Sequence, residues 1–271
     1  MFGFKSALLA GAALGVLAGC STDSTAPQMG TIVVRITDAP SDQFDSVRVW
    51  VTKVALVGGA GGPVTIADTA AKYDLLSLQN GVTALLASAT IPTGSYEQLR
   101  LVVDSARVWL KAPLTFADGS TDATLRVPSG MQTGIKVNFG TPVRVAPGET
   151  DITVDFDVSR SFVFHGPADA PDSISFKPVI HAAATELTGS ISGTVSPASS
   201  GATVWAIVGT DTIATAFADA GSGAYTLLFL PAGTYDVAAH ATGYQDATIT
   251  GVAVGTSENV TGVDFTLAPA P

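Results

Sequence analysis

The chain has 271 residues, 13 basic and 23 acidic, and a formal net charge of −10. At 46% hydrophobic residues it is too apolar to be disordered, and its length allows about two packed domains. A single cysteine excludes an internal disulfide framework, so any folded part must be held by its core alone.

At the N-terminus, Lys5 is the only charge before residue 20, and residues 7–19 form an apolar run, ALLAGAALGVLAG. That run is too short to span a bilayer comfortably. Residues 1–19 therefore read as a signal peptide. The run ends in Leu17-Ala18-Gly19-Cys20, which resembles a bacterial lipobox. The resemblance implies that Cys20 is lipidated and becomes the mature N-terminus, with several acyl chains giving stable anchoring. An ordinary secretory signal is the alternative. Ser21 in place of Asp points, by analogy with Gram-negative sorting, to the outer membrane, on its periplasmic or surface face. Residues 20–29 are small and polar and read as the lipidated tether.

From residue 30 the composition is that of an all-β protein. The whole chain has 28 glycines and 15 prolines, with abundant Val, Ile and Thr and few long helix formers. TIVVRIT (31–37) is strand-like, DAPSDQ (38–43) is a turn, and FDSVRVWVTKVALV (44–57) is a long strand. Residues 73–88 are the one helical candidate, interrupted by Asn80-Gly81. In the strand from Glu97, Leu99, Leu101 and Val103 share a face, and then Ala106, Val108 and Leu110 do. The parity flips, which predicts a bulge or a turn at 104–105. Residues 152–158 alternate cleanly, with Ile152, Val154, Phe156 and Val158 on one side and Thr153, Asp155 and Asp157 on the other. From 188 onward, about seven short strands separated by turn signals predict a small sandwich. The expected organisation is a signal peptide (1–19), a tether (20–29), a β domain at 30–187 and a β-sandwich at 188–271. Both domains are expected to be sandwiches, with at most one short helix in the first.

Two phrases echo each other, IPTGSY at 91–96 and LPAGTY at 230–235. In each, Pro stiffens the approach, Gly permits a tight turn, and the tyrosine opens the next strand with its ring inward.

The segments ITDAPS, SVRVWVTKVAL, DLLSLQNG, IPTGSYEQLRLVV, PSGMQTGIKV, DFDVSRSFV and FKPVI lie in order between 36 and 180. Together they resemble a bacterial lipoprotein family known as domain of unknown function 4382. That implies an exported lipoprotein domain and carries no activity with it. Residues 189–271, through GSISGTV, GAYTLLFLPAGTYDVAAHATGYQDATI and VDFTL, resemble the carboxypeptidase-regulatory-like domain. The resemblance implies an accessory transthyretin-like sandwich, grouped by fold with carbohydrate-binding-like modules.

Residues 189–271 hold six acids and no Lys or Arg. This part has no cation with which to neutralise phosphates, so no nucleic-acid partner is expected. His165, His181 and His240 are far apart in sequence, and there is no metalloprotease, nucleophile-elbow or phosphate-loop motif. No enzyme and no cofactor are expected. Asp38, Asp42 and Asp45 form the best acidic cluster. They either gather oxygens for a hard cation, with Asp155 or Asp157 added, or cap turns by accepting backbone N–H bonds, which is the stronger reading. Asp118-Gly119-Ser120-Thr121-Asp122 reads as a hairpin turn. Arg100, Lys136 and Asp155 lie inside strands and could form an ion-pair network.

Trp50 stands between Arg48 and Thr52, and Trp109 between Arg107 and Lys111, each on the polar side of its strand. They either form a sugar-stacking platform or are covered by a second layer. Trp205, Tyr225 and Tyr235 read as core, and Tyr244, after Gly243, as a loop aromatic near a ligand. The leading expectation is a non-enzymatic envelope binding module with carbohydrate as its candidate ligand. The alternatives are a structural protein contacting other envelope proteins and an enzyme with a dispersed site. Exposure of the two tryptophans discriminates between the first two.

Overall fold

The computed structural model describes residues 27–271 except 40, 59–61, 80 and 128–132. Residues 1–19, read above as a signal peptide, and Cys20 lie outside the described residues. Two separate apolar cores define two β-sandwiches, one gathering side chains from Ile32 to Leu187 and the other from Ile191 to Leu267.

The first sandwich packs a four-stranded sheet on a six-stranded one. The smaller sheet contains β1 (Met29–Ala39), β5 (Ala84–Pro92), β9 (Glu149–Asp157) and β12 (Ile180–Ala184), in the order β12-β9-β1-β5. The larger is built around β2 (Phe44–Gly58) and β6 (Gly94–Leu110). It adds β3 (Val64–Ala67), β4 (Ala71–Asp74), β7 (Asp122–Arg126) and β8 (Ile135–Val145). A one-turn helix, α1 (Val158–Ser161), leads into a hairpin of β10 (Phe162–His165) and β11 (Ser173–Phe176).

The alternations read from sequence are the ones that build this core. Ile152, Val154, Phe156 and Val158 are all at most 1% exposed. Each such side chain contributes roughly 1.5–3 kcal/mol of burial. On β6 the predicted bulge is present: Ser105 pairs with Trp50 and Val103 with Val51, so Asp104 has no partner. The extra residue restores the inward face, and Leu101, Val103, Ala106 and Val108 are all buried.

Residues 73–88 do not form the expected helix. Asp74 closes β4, Leu75–Leu78 make a single 3-10 turn, and β5 begins at Ala84. Leu75 and Leu78 point the same way at spacing three and are buried. Pairing of Ala84–Pro92 with β1 overrides the leucine pattern. The helix that does form, α1, is capped by Asp157, whose Oδ1 accepts Arg160 N (3.0 Å).

The second sandwich has β13 (Thr188–Ser196), β16 (Ala224–Pro231), β19 (Asn259–Val260) and β20 (Phe265–Thr266) on one side. On the other, β14 (Thr203–Val208), β15 (Asp211–Phe217), β17 (Gly233–His240) and β18 (Ala247–Val254) lie in the order β15-β14-β17-β18. Tyr225 is core as expected, 3% exposed with its hydroxyl on Val263 O. Trp205 is not. Val204 and Ala206 take the inward positions, which leaves Trp205 half-buried on the outer face, stacked on His240 (centroids 6.1 Å).

The echoed phrases are two copies of one corner. In each domain the chain leaves one sheet at the proline and enters the opposite sheet at the glycine, from β5 to β6 and from β16 to β17. Tyr96 Oη donates to Pro92 O (2.8 Å), and Tyr235 Oη donates to Pro231 O. Both rings are inward, 2% and 3% exposed. This is the tyrosine corner of β-sandwiches. Neither Gly94 nor Gly233 has a positive φ, so the tyrosine hydroxyl, not glycine's freedom, fixes the turn.

The domains meet along β9. Thr153 and Asp157, read as a polar outward face, are 3% and 2% exposed. Arg160 Nη1 donates to Thr212 O (2.9 Å) and Ser257 Oγ to Glu186 O (2.8 Å). Gly81 backs onto Leu228 so closely that a Cβ there would lie 2.5 Å from Leu228 Cδ1. β16 carries a bulge in which Leu228 and Phe229 face Ser190 alone, and Phe229 takes φ 57°. Both bulged residues line cavities at the seam.

Two predictions follow from these contacts. Tyr96→Phe and Tyr235→Phe each leave a proline carbonyl short of its bond. Each is expected to cost about 1–2 kcal/mol, additively, in urea unfolding of the full chain; an unchanged midpoint in either would remove the corner's structural role. Asp155 at the seam is pushed up to about 7, by burial first and Asp157 second. Its folded pKa lies above the unfolded value of about 4. Its stabilising contribution is therefore complete below about pH 4 and lost as pH rises to about 7. Unfolding free energy is expected to fall across that window and Asp155→Asn to flatten the fall; a variant with the wild-type slope would refute the assignment.

Candidate functional site

The pairing of β2 with β6 sets Ser46 opposite Trp109, Arg48 opposite Arg107 and Trp50 opposite Ser105. Val47, Val49, Ala106 and Val108 are fully buried. The intervening side chains are therefore forced to the outer face. Beyond β6 the chain makes a loop in which Leu114 N donates to Lys111 O and Phe116 N to Ser120 O. Asp118 Oδ1 accepts both Ser120 N (2.9 Å) and Ser120 Oγ (2.6 Å). These bonds hold its carboxyl below the ordinary range and confirm residues 118–122 as a closed turn.

This loop walls a concave pocket of about 510 Å3 against the sheet. Trp109 lies in it with Asp45, Ser46, Arg48, Pro113, Thr115 and Thr121. The indole is half-buried and has two guanidinium groups over its ring, with Arg48 Cζ 4.5 Å and Arg107 Cζ 4.8 Å from its centroid. Each arginine is tied down in turn. Asp74 Oδ2 accepts Ser46 Oγ (2.8 Å) and Arg48 Nε (3.4 Å). Asp122 Oδ2 accepts Arg107 Nη2 (2.8 Å) and Nε (3.0 Å). Such half-exposed pairs contribute at most about 1 kcal/mol each. Their effect is positional, because they lock the ring beside fixed donors and acceptors. A ring so held, next to hydroxyl, carboxylate and guanidinium groups in a groove, suits a ligand with an apolar face and a hydroxylated edge.

The other predicted residues are dispersed. Trp50 is half-buried on the same face as Trp109. It stands four residues along β2 from Ser46, about 14 Å at strand rise, and does not line the pocket. The two tryptophans share a face and form no common platform. Tyr244 lies in the other domain, half-buried against its core and bridged to Pro269.

Asp38 turns inward, 4% exposed, with Oδ1 accepting Val158 N (3.2 Å) and Oδ2 unpartnered. Burial first, and Asp155 next, push its pKa well above the carboxylate range. Asp42 and Asp45 are exposed. The three do not converge, and among the described residues no group of three or more His, Cys, Asp or Glu is placed to hold a metal ion. Arg100 faces Lys136 across β6 and β8 and donates to Gln98, while Asp155 belongs to the other sheet. That network does not form. The histidines are likewise separate: His165 bonds Ser175, His240 bonds Asp246, and His181 faces the seam.

Arg107 is a near neighbour of Trp109 in sequence, whereas Arg48 is a neighbour of Trp50. The convergence of both arginines on the Trp109 ring was not legible, because it depends on the β2–β6 register.

Residues 29–178 match the model of a family described as a domain of unknown function, DUF4382. The chain belongs to that family. Residues 187–268 match the carboxypeptidase regulatory-like domain. No curated protein matches. Among solved structures, a type II cohesin–X-dockerin complex from Acetivibrio cellulolyticus is 22% identical over 30% of this chain and 58% of that one, with a TM-score of 0.24. The Bacillus anthracis TIE protein is 10% identical over 89% of this chain and 41% of its own, also at 0.24. The shaft pilin SpaA from Lactobacillus rhamnosus GG is 12% identical over 90% and 98%, at 0.22. The chain thus spans 58% and 41% of the first two, and all three superpose loosely.

Proposed function

We propose that this DUF4382 protein is a non-enzymatic binding protein of the bacterial envelope, anchored by lipid on Cys20, whose first domain takes a saccharide in the Trp109 pocket. The observation that carries the reading is the half-buried indole held against Arg48 and Arg107 in a groove of about 510 Å3 with Asp45, Ser46, Thr115 and Thr121. A pyranose offers its hydroxyls to these carboxylate, hydroxyl and guanidinium groups and its C–H groups to the part of the indole that the arginines leave open.

The assembly reading has one observation in its favour. β5 edges its sheet, and Val82 and Leu85, beside and on it, are 53% and 55% exposed. The pocket is the better-built feature, since Ser46 and Arg48 in its wall are both held by Asp74.

On a glycan array, Trp109→Ala is expected to lose at least about tenfold in affinity, the equivalent of 1.4 kcal/mol, while Trp50→Ala binds as wild type. Binding that survives Trp109→Ala, or no binding by the wild type, overturns the saccharide reading. Anchoring is tested separately with labelled palmitate. The wild type is expected to incorporate label and sediment with membranes, and Cys20→Ala to do neither. A membrane-bound, unlabelled Cys20→Ala protein would show that something other than this lipid holds the chain.

A further inference from the structure

Two cavities lie along the domain seam, with Asp155 and Phe229 in the wall of both. The smaller, about 30 Å3, is also lined by Asp38 and Thr215. These residues come from different domains and are 4% and 8% exposed, yet Asp38 Oδ2 and Thr215 Oγ1 are buried without a hydrogen-bond partner. Such orphaned oxygens are costly in a folded protein. The larger cavity, about 290 Å3, brings Asn138, Asp155, His181 and Asp211 to face Phe229. His181 Nε2 is also buried and unpartnered. Burial pushes the His181 pKa below its ordinary value, so the ring stays neutral and keeps one nitrogen as an acceptor.

The charge around this space is one-sided. Asp155 has Asp157 on its own strand, Asp38 on β1, His181 directly opposite on β12 and Asp211 across the seam. Arg160 on α1 brings the nearby positive charge, and its Nη1 is bonded to Thr212 O. A region rich in acceptors and carboxylates favours a cation that donates several hydrogen bonds. The donor set is wrong for a metal, because no three ligating side chains converge among the described residues and hard cations want six or more oxygens. An ammonium group needs fewer partners, offers three N–H donors and gains from an aromatic face. Phe229 supplies that face. Its φ of 57° is a strained setting for a bulky residue, and the bulge that imposes it turns the side chain out of the β16 ladder to the seam.

We propose that the seam pocket between the two domains binds a primary ammonium group, carried by a small amine or by an amino sugar, with Asp155 and Asp211 as its anionic partners and Phe229 as its aromatic wall.

The test is calorimetric titration and thermal shift of the full mature chain at pH 7.5 with putrescine, glucosamine, N-acetylglucosamine and 1,4-butanediol. A saturable rise in melting temperature is expected with one or both amines, and none with the diol or the acetylated sugar. Response to putrescine alone identifies a free amine as the ligand type; response to glucosamine alone identifies an amino sugar. Asp155→Asn is expected to weaken amine binding at least tenfold. Asp211→Asn, at an exposed position that does not endanger folding, is expected to weaken it severalfold. Phe229→Leu, which keeps an apolar side chain and removes the aromatic face, should still fold and bind amine more weakly. Trp109→Ala should leave the amine response intact, which separates this site from the saccharide groove. No saturable response to either amine, an equal response to butanediol, or wild-type binding by both aspartate variants overturns the proposal.

Discussion

One unpaired residue decides which way the first domain's functional face points. Leu99, Leu101 and Val103 face the core, and strict alternation would continue inward through Ser105, Arg107 and Trp109. The bulge at Asp104 breaks that sequence and sends Ala106, Val108 and Leu110 inward instead. Trp109 and Arg107 are thereby turned outward, beside Arg48 on the paired strand. The core gains three buried apolar side chains and the surface gains an aromatic groove from the same local irregularity. Had the strand run without it, the Arg107 guanidinium and an indole would have competed for space inside a close-packed sandwich.

The two domains solve one structural problem in the same way. A sandwich without disulfides must pass its chain from sheet to sheet without fraying at the corner. Both do so with Pro-x-Gly-x-Tyr, the tyrosine hydroxyl reaching back four residues to the proline carbonyl. The ring fills the core and its hydroxyl satisfies a backbone group that would otherwise be stranded. The recurrence of IPTGSY and LPAGTY is thus a recurrence of architecture, and the sites of the two domains have nothing in common.

What was legible in the sequence is what depends on a single strand. The alternation at 152–158, the parity flip at 104–105 and the seven strands after 188 each depend on period two alone, and the structure has them. The misread elements depend on partners. Leu75, Leu76 and Leu78 have a helix-like spacing, but pairing of the following residues with β1 holds them in one 3-10 turn. Trp205 lies in an apolar run whose smaller members, Val204 and Ala206, take the core. Asp38, Asp42 and Asp45 are neighbours in sequence, yet only Asp38 turns inward. Asp155 and Thr153 have the pattern of a solvated face, and no local signal announces that a second domain covers it.

That covering runs against electrostatics. Residues 189–271 carry six acidic side chains and no Lys or Arg, and they dock against a strand bearing Asp151, Asp155 and Asp157. Asp157 accepts hydrogen bonds from Arg160 N and Ser159 Oγ as the cap of α1, and Asp151 pairs with Arg35. Asp155 has no such partner among the described residues, and burial raises its pKa to about 7. A seam selected for adhesion alone would place an apolar residue there, since replacing buried charge by packed hydrophobic groups is often neutral or stabilising. It would also avoid a positive φ at Phe229, on the opposite wall. Two unfavourable choices that face each other across one cavity are easier to understand as parts of a site than as independent defects of packing. On this view the second domain does more than cap the first: it completes a pocket that neither sandwich forms alone.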